Sequence, residues 1–295
     1  MQTEKCGTLY IVATPIGNLK DLSQRAIETL EQVDWIAAED TRHSQRLLQH
    51  LGIKKPLTAL HDHNEQQKRE FLHQKLQAGE QGALISDAGT PLISDPGYHL
   101  VHLLRKEGVR VVPIPGPSAI ITALSAAGLP TDRFTFEGFL PAKSQKRLQT
   151  LQALKTEPRT LVFYESPHRL LESLQAFSEV FSGDRPMVVA RELTKQFEQF
   201  VSGSVQEVLN YFSAHPDKVR GEFVIMLQGA PKVEKAVASG EGLIRLLLEQ
   251  GLPVKQVAQI VSAYLGLKKN AVYQQVLAFK QADEDNSLAS DESSF

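Results

Sequence analysis

One unit recurs along the first two-thirds of this chain and restricts its fold more than any other feature. A short apolar run ends in a loop of glycine, proline and small hydroxyl residues, and a helical pattern follows. Leu9-Tyr10-Ile11-Val12-Ala13 is rich in strand formers and stops at Thr14-Pro15-Ile16-Gly17-Asn18, a turn signal. Leu22, Ala26, Ile27, Leu30 and Val33 then recur at helical spacing. Trp35-Ile36-Ala37-Ala38 runs into Glu39-Asp40-Thr41-Arg42, and Gly82-Ala83-Leu84-Ile85-Ser86 into Asp87-Ala88-Gly89-Thr90-Pro91. A helix is expected over 97–107, a strand over 110–114, and a small apolar helix over 119–128 after Pro115-Gly116-Pro117-Ser118. A second series of strands is expected at 160–164, 186–191 and 222–227. Alternation of this kind predicts an α/β fold whose mostly parallel sheet has both faces covered. The spacing divides it into an N-terminal α/β domain, 8–118, and a C-terminal one, 119–230.

Residues 241–280 follow a different pattern. Helical periodicity covers 242–250, 254–265 and 270–279, with Pro253 at one start and Gly266 at a stop. A three-helix unit of this size is similar to a helix-turn-helix module. Arg245, Lys255, Lys268, Lys269 and Lys280 against Glu241 and Glu249 give it a charge of +3, while the acids of 281–295 give that tail −5. The net charge of −2 over 295 residues therefore averages a basic module with an acidic tail expected to be disordered. A single cysteine, Cys6, excludes an internal disulfide and a multi-cysteine zinc site and fits a reducing cytosol. Residues 1–7 carry no apolar signal core. The longest nearly apolar stretch, 120–129, falls well short of the roughly 20 residues a membrane span needs. A cytoplasmic protein without a membrane anchor is the expectation.

In open parallel sheets ligands bind beyond the carboxyl ends of the strands. Three loops rich in small residues fall there, 14–18, 86–91 and 115–119, and each reads either as a tight βα turn or as part of a shared pocket. None is a GxxxxGK[ST] or GxGxxG phosphate loop. Asp40 reads either as a base or as a helix N-cap with Arg42 as its surface partner. His61 and His63, two apart, do not share a helix face, and Asp62 or Asn64 capping a helix near Glu65 accounts better for that segment; no metal site is expected. Ser118 lacks the G-x-S-x-G elbow of a nucleophile. His168 reads either as a base or as part of a helix start with Ser166 as N-cap and Pro167 in the first turn. The charges of 190–195 form a salt-bridged rim or face an anionic substrate. Lys143, Lys146 and Arg147, together with Lys268 and Lys269, make a candidate phosphate-contact surface.

Taken together, Leu9 to Leu19, Ala38 to Arg42, Ser86 to Pro91, Asp95-Pro96-Gly97, Pro115 to Ala119, Glu137 to Pro141, Phe163 to Arg169, Ala190 to Thr194 and Gly221-Glu222-Phe223 resemble the bacterial small-subunit (16S) rRNA (cytidine-2′-O)-methyltransferase family. That family belongs to the class III, tetrapyrrole-methylase-like superfamily. The resemblance spans roughly 8–280 and includes the helical C-terminal unit. It implies two α/β domains with S-adenosyl-L-methionine between them, a 16S rRNA or 30S-subunit substrate, and a homodimer. It further implies cofactor contacts from Pro15, Gly17, Ser86, Asp87, Ala88, Gly89, Thr90, Ser118, Ala119, Tyr164, Gly221, Glu222 and Phe223. Asp40 or Glu39 is the expected base or ribose-orienting group, Arg42 the phosphate holder, and Asp87 the alternative base. Rival readings are a small-molecule methyltransferase of the same fold and a non-catalytic RNA-binding protein.

Overall fold

The computed structural model describes residues 6–61, 64–231 and 240–291. Residues up to Ala230 form one compact unit and those from Pro231 a second. The first unit holds two five-stranded sheets. In chain order the N-terminal half runs β1 (Thr8–Val12), α1 (Gln24–Gln32), β2 (Trp35–Ala38), α2 (Thr41–His50), β3 (Leu57–Ala59), α3 (Glu65–Gln77), β4 (Gly82–Ile85), α4 (Tyr98–Lys106) and β5 (Arg110–Ile114). Its sheet has the order β3-β2-β4-β1-β5, and every pairing is parallel. Apolar clusters cover both faces: Leu30, Ile36 and Ile85 on one, Trp35, Leu72 and Leu104 on the other. Ser23 caps α1 by accepting the Ala26 N–H, which moves the helix start two residues past Leu22.

The second half runs α5 (Ala119–Ala126), β6 (Phe134–Phe139), α6 (Ser144–Ala153), β7 (Thr160–Glu165), α7 (Leu170–Val180), β8 (Pro186–Arg191), β9 (Gln199–Ser204), α8 (Val205–Ala214) and β10 (Phe223–Leu227). Its sheet order is β6-β7-β10-β8-β9. Only β6 and β7 pair in parallel; the β7-β10, β10-β8 and β8-β9 ladders are antiparallel. This half thus departs from the mostly parallel sheet expected of a strand-helix series. The cause is β9, which pairs antiparallel with β8 directly across a short connection and removes a crossover helix. The sense of β10 has a functional consequence. Its first residue, Phe223, pairs with Glu165 at the end of β7 and Arg191 at the end of β8.

The second unit contains α9 (Glu241–Glu249), α10 (Val254–Leu265) and α11 (Lys269–Asp291) around Ile244, Val257, Val261, Val272 and Val276. Gly266 closes α10 as expected. The last helix runs on through Asp291, across most of the acidic tail expected to be disordered; residues 292–295 lie outside the described residues. The extension has a local reason: no glycine or proline interrupts the sequence between Lys269 and Asp291. Among the described residues no helix is long and apolar enough to cross a membrane.

Candidate active site

The three small-residue loops of the first sheet are tied to one another. The Thr14 N–H donates to the Gly89 carbonyl (2.9 Å), and the Gly89 N–H donates back to Thr14 (3.0 Å). Thr14 Oγ1 donates to the Ser86 carbonyl (3.0 Å), and Thr90 Oγ1 to the Pro117 carbonyl (3.0 Å). These bonds join the ends of β1, β4 and β5. The chain leaves β1 toward β2 on one side and leaves β4 toward β5 at the opposite edge, so these loops mark the switch point of the sheet.

A cavity of about 370 Å³ opens there. Ile16 reaches it from the first loop, 87–90 and 93–95 from the second, and Ser118 and Ala119 from the third. The other sheet contributes Phe139 from β6, Tyr164 to Pro167 from the end of β7, Leu193 after β8, and Gly221 to Val224. The last group can take part because β10 is antiparallel to β7 and β8, so its start lies beside their ends. Ten of the thirteen expected cofactor contacts line the cavity: Asp87, Ala88, Gly89, Thr90, Ser118, Ala119, Tyr164, Gly221, Glu222 and Phe223. Three do not. Pro15 and Gly17 flank Ile16, which takes the lining position, and Gly17 packs on the Lys195 stem instead. Ser86 is buried below the loop, its hydroxyl donating to the Gly89 carbonyl (3.2 Å).

The wall opposite the loops is held by charge. The Glu165 side chain is 1 % exposed and pairs with Arg169 (2.9 Å), while accepting from the Ser166 N–H (2.8 Å) and the Ser173 hydroxyl (2.6 Å). Lys195 bridges Glu192 (2.8 Å) and Glu222 (2.9 Å), and the Glu222 N–H donates to Glu192 (3.0 Å). The charged segment after β8 is thus a salt-bridged rim. Burial alone would raise the Glu192 carboxyl, but Lys195 and the backbone bond to Glu222 hold it below its ordinary value. Burial, with the Asp95 carboxylate nearby, pushes the Tyr164 phenol up to about 12, so it stays a neutral hydrogen-bonding group at neutral pH. Among the described residues, every non-glycine residue with positive φ sits on the two loops at this cavity: Leu92, Ser94, Glu192 and Thr194. Backbone strain concentrated this way is a mark of functional loops.

The remaining expected residues lie elsewhere. Asp40 is the N-cap of α2: its carboxylate accepts from the Arg42 N–H (2.8 Å) and pairs with the Arg42 guanidinium (3.2 Å). Those bonds hold it below the usual carboxylate range. Neither Glu39, Asp40 nor Arg42 lines the cavity, yet the segment abuts it, because the Asp40 N–H donates to the Asp87 carboxylate (3.1 Å). Lys143 and Lys146 are exposed, as are Lys268 and Lys269 in the second unit. Arg147 is not part of that surface. It is buried, donating to the Ala142 carbonyl and pairing with Glu172 (3.0 Å), since α6 turns it inward beside Leu151. His168 is exposed and outside the lining, and α7 starts at Leu170 rather than at Pro167, because 166–169 form a turn closed by Arg169. Asn64 stands at the start of α3, its side chain accepting the His61 N–H (2.9 Å); Asp62 and His63 lie outside the described residues.

Residues 8–209 match the family described as Tetrapyrrole (Corrin/Porphyrin) Methylases, and 234–280 match the RsmI C-terminal HTH domain. The chain is 54% identical over 269 residues to ribosomal RNA small subunit methyltransferase I of Pasteurella multocida (strain Pm70), covering 91% of this chain and 96% of that protein. It is likewise 54% identical to the protein of the same name from Escherichia coli O157:H7, covering 92% and 95%. Solved structures with the same fold include diphthine synthase (TM-score 0.57, 13% identity, 76% of this chain and 90% of that one). Another is uroporphyrin-III C-methyl transferase from Thermus thermophilus complexed with S-adenyl homocysteine (0.52, 18%, 75% and 97%).

Proposed function

The chain belongs to the tetrapyrrole methylase family and, within it, to the ribosomal RNA small subunit methyltransferase I proteins, and from that membership we propose that it transfers a methyl group from S-adenosylmethionine to the 2′-hydroxyl of a cytidine in 16S rRNA. The observation that supports this most is the cavity at the switch point, built from the strand ends of both sheets.

The cavity suits the cofactor's chemistry. Its volume is within the usual range of about 300–1,000 Å³ for small-molecule sites. Asp87 and Asp95 are among its lining residues, Glu165 and Glu222 there are paired with Arg169 and Lys195, and no Lys, Arg or His lines it, which favours a cationic ligand. Ile16, Ile93, Leu193 and Val224 give it apolar walls, and the 87–90 backbone gives it polar groups. When bound, S-adenosylmethionine supplies a methyl group already activated by positive sulfur. The chain's own task is then alignment and proton removal. Asp87, with one carboxylate oxygen anchored by the Asp40 N–H, is the carboxylate we assign to accept the ribose proton; Asp40, spent on its cap and on Arg42, orients that loop. Arg42, its side chain 89% exposed beside the site, holds a backbone phosphate.

Lys143, Lys146, Lys268 and Lys269 grip further phosphates in this reading, with the basic segment 241–280 of the second unit as an RNA-contact module. A cytoplasmic homodimer, expected from the resemblance, belongs to the same proposal, and sedimentation of the purified chain tests the assembly: a dimer supports it and a monomer contradicts it. Asp87→Asn tests the proton acceptor. A single-turnover rate that falls at saturating S-adenosylmethionine supports it, and an unchanged rate overturns it.

A further inference from the structure

Phe139 is the exposed aromatic of the cavity. It is 53% exposed although it lines the site, so part of its ring is open to a bound group. The backbone is shaped to put it there. Phe136 and Phe139 are three residues apart, which on a regular strand means opposite faces. The β6-β7 register shifts between them, and Gly138 has φ +66. The irregularity turns Phe139 to the side of Phe136, and both rings meet Tyr164, with centroids 4.8 Å (Phe136) and 5.6 Å (Phe139) away. Bulges re-aim side chains in this way beside active sites.

The ring is also held in place. The Arg169 guanidinium lies over it at 6.0 Å, and Arg169 is itself fixed by Glu165 (2.9 Å) and by the Leu140 carbonyl (3.0 Å). An anchored guanidinium, a half-exposed phenyl side chain and a flanking neutral tyrosine make a rigid platform for a flat heterocycle. We propose that Phe139 is a substrate-binding residue on which the target cytosine stacks once it leaves its RNA helix, the ring being held by Arg169. This rests on the proposed rRNA methyl transfer and adds to it how the nucleotide is presented.

The test compares Phe139→Ala, Phe139→Leu and Phe139→Trp with wild type. The readouts are methylation of 30S subunits lacking the methyl group, S-adenosylmethionine affinity by calorimetry, thermal midpoint and sedimentation. Loss of one base-aromatic stack predicts a KM for 30S subunits raised about 5- to 150-fold in the Ala variant. The Leu variant behaves like Ala, since it keeps apolar bulk without a π face, and Trp restores the wild-type value. Cofactor affinity and sedimentation stay unchanged. An unchanged KM in Ala, full activity in Leu, weakened cofactor binding, or an altered oligomeric state in any variant overturns the proposal, the last by showing that a second copy covers the ring. An inactive wild-type protein would instead refute the rRNA activity itself, so the two failures are separable.

Discussion

Gly221→Ala should destabilise the chain through two separable causes. Gly221 has φ +90, and a Cβ built there would overlap the Glu192 carboxylate. The left-handed backbone costs an L-residue about 1–2 kcal/mol. Displacing Glu192 also breaks its bonds to Lys195 (2.8 Å) and to the Glu222 N–H (3.0 Å). Hydrogen bonds to charged groups contribute about 1.5–3 kcal/mol, and solvent screening of the partly exposed pair, together with water replacing the lost partners, brings the two bonds jointly to about 1.5–2 kcal/mol. The total is about 2.5–4 kcal/mol, or about 5–15 °C in midpoint for a unit of this size. The assay is thermal unfolding by circular dichroism in a double-mutant cycle with Glu192→Ala. With the carboxylate gone, Gly221→Ala should cost only the backbone part, about 1–2 kcal/mol, so the two substitutions are strongly non-additive. An equal cost in both backgrounds would refute the steric reasoning, and an unchanged midpoint in the wild-type background would refute the whole account of this rim.

Arg169→Met leaves the Glu165 carboxylate buried with only Ser166 and Ser173 as partners, and should cost about 3 kcal/mol in urea unfolding. Glu157 is pushed down from 4.5 to about 2 by the Arg159 side chain and backbone N–H, so its stabilising effect is complete above about pH 4.5 and disappears as pH falls through about 2. The stability gap between wild type and Glu157→Gln should close over that window in acid titrations. Lys143→Gln and Lys146→Gln should each lower the salt slope of RNA binding by about 0.7 per lost phosphate, whereas Arg147→Met should lower the thermal midpoint without that change. Removing 241–295 should weaken RNA binding and leave S-adenosylmethionine affinity intact by calorimetry, in keeping with the separate compact unit those residues belong to.

The central strands of both sheets are readable in the chain because burial on both faces makes them continuous apolar runs: β2 and β8 fall where the apolar runs place them, at 35–38 and 186–191. The strands that escaped, β3, β6 and β9, are all sheet edges. Leu57–Ala59 is three half-buried residues, and Gln199–Ser204 carries polar side chains, so neither leaves an apolar signature. Missing β9 hid the antiparallel sense of β10. That sense is what brings Gly221 to Val224 into the cavity, where the resemblance, not the periodicity, had placed the first three of them. The small-residue loops were legible as a shared pocket. Ile16, Ile93, Ser94, Asp95, Phe139, Glu165 to Pro167, Leu193 and Val224 were not predicted as site residues, although all but Ile93, Ser94 and Val224 lie in motifs that carry the family resemblance. Left-handed leucine and serine in the second loop and a register shift in β6 leave no mark on residue type. Nor does the inward turn of Arg147, which looks in the sequence like any surface basic residue.

The most direct test is methyl transfer from labelled S-adenosylmethionine to 30S subunits lacking the modification, with the labelled nucleotide mapped in 16S rRNA. The account predicts one label, on the ribose 2′-oxygen of a cytidine. A label on a base or on protein, or no incorporation by a chain that binds the cofactor, would contradict it.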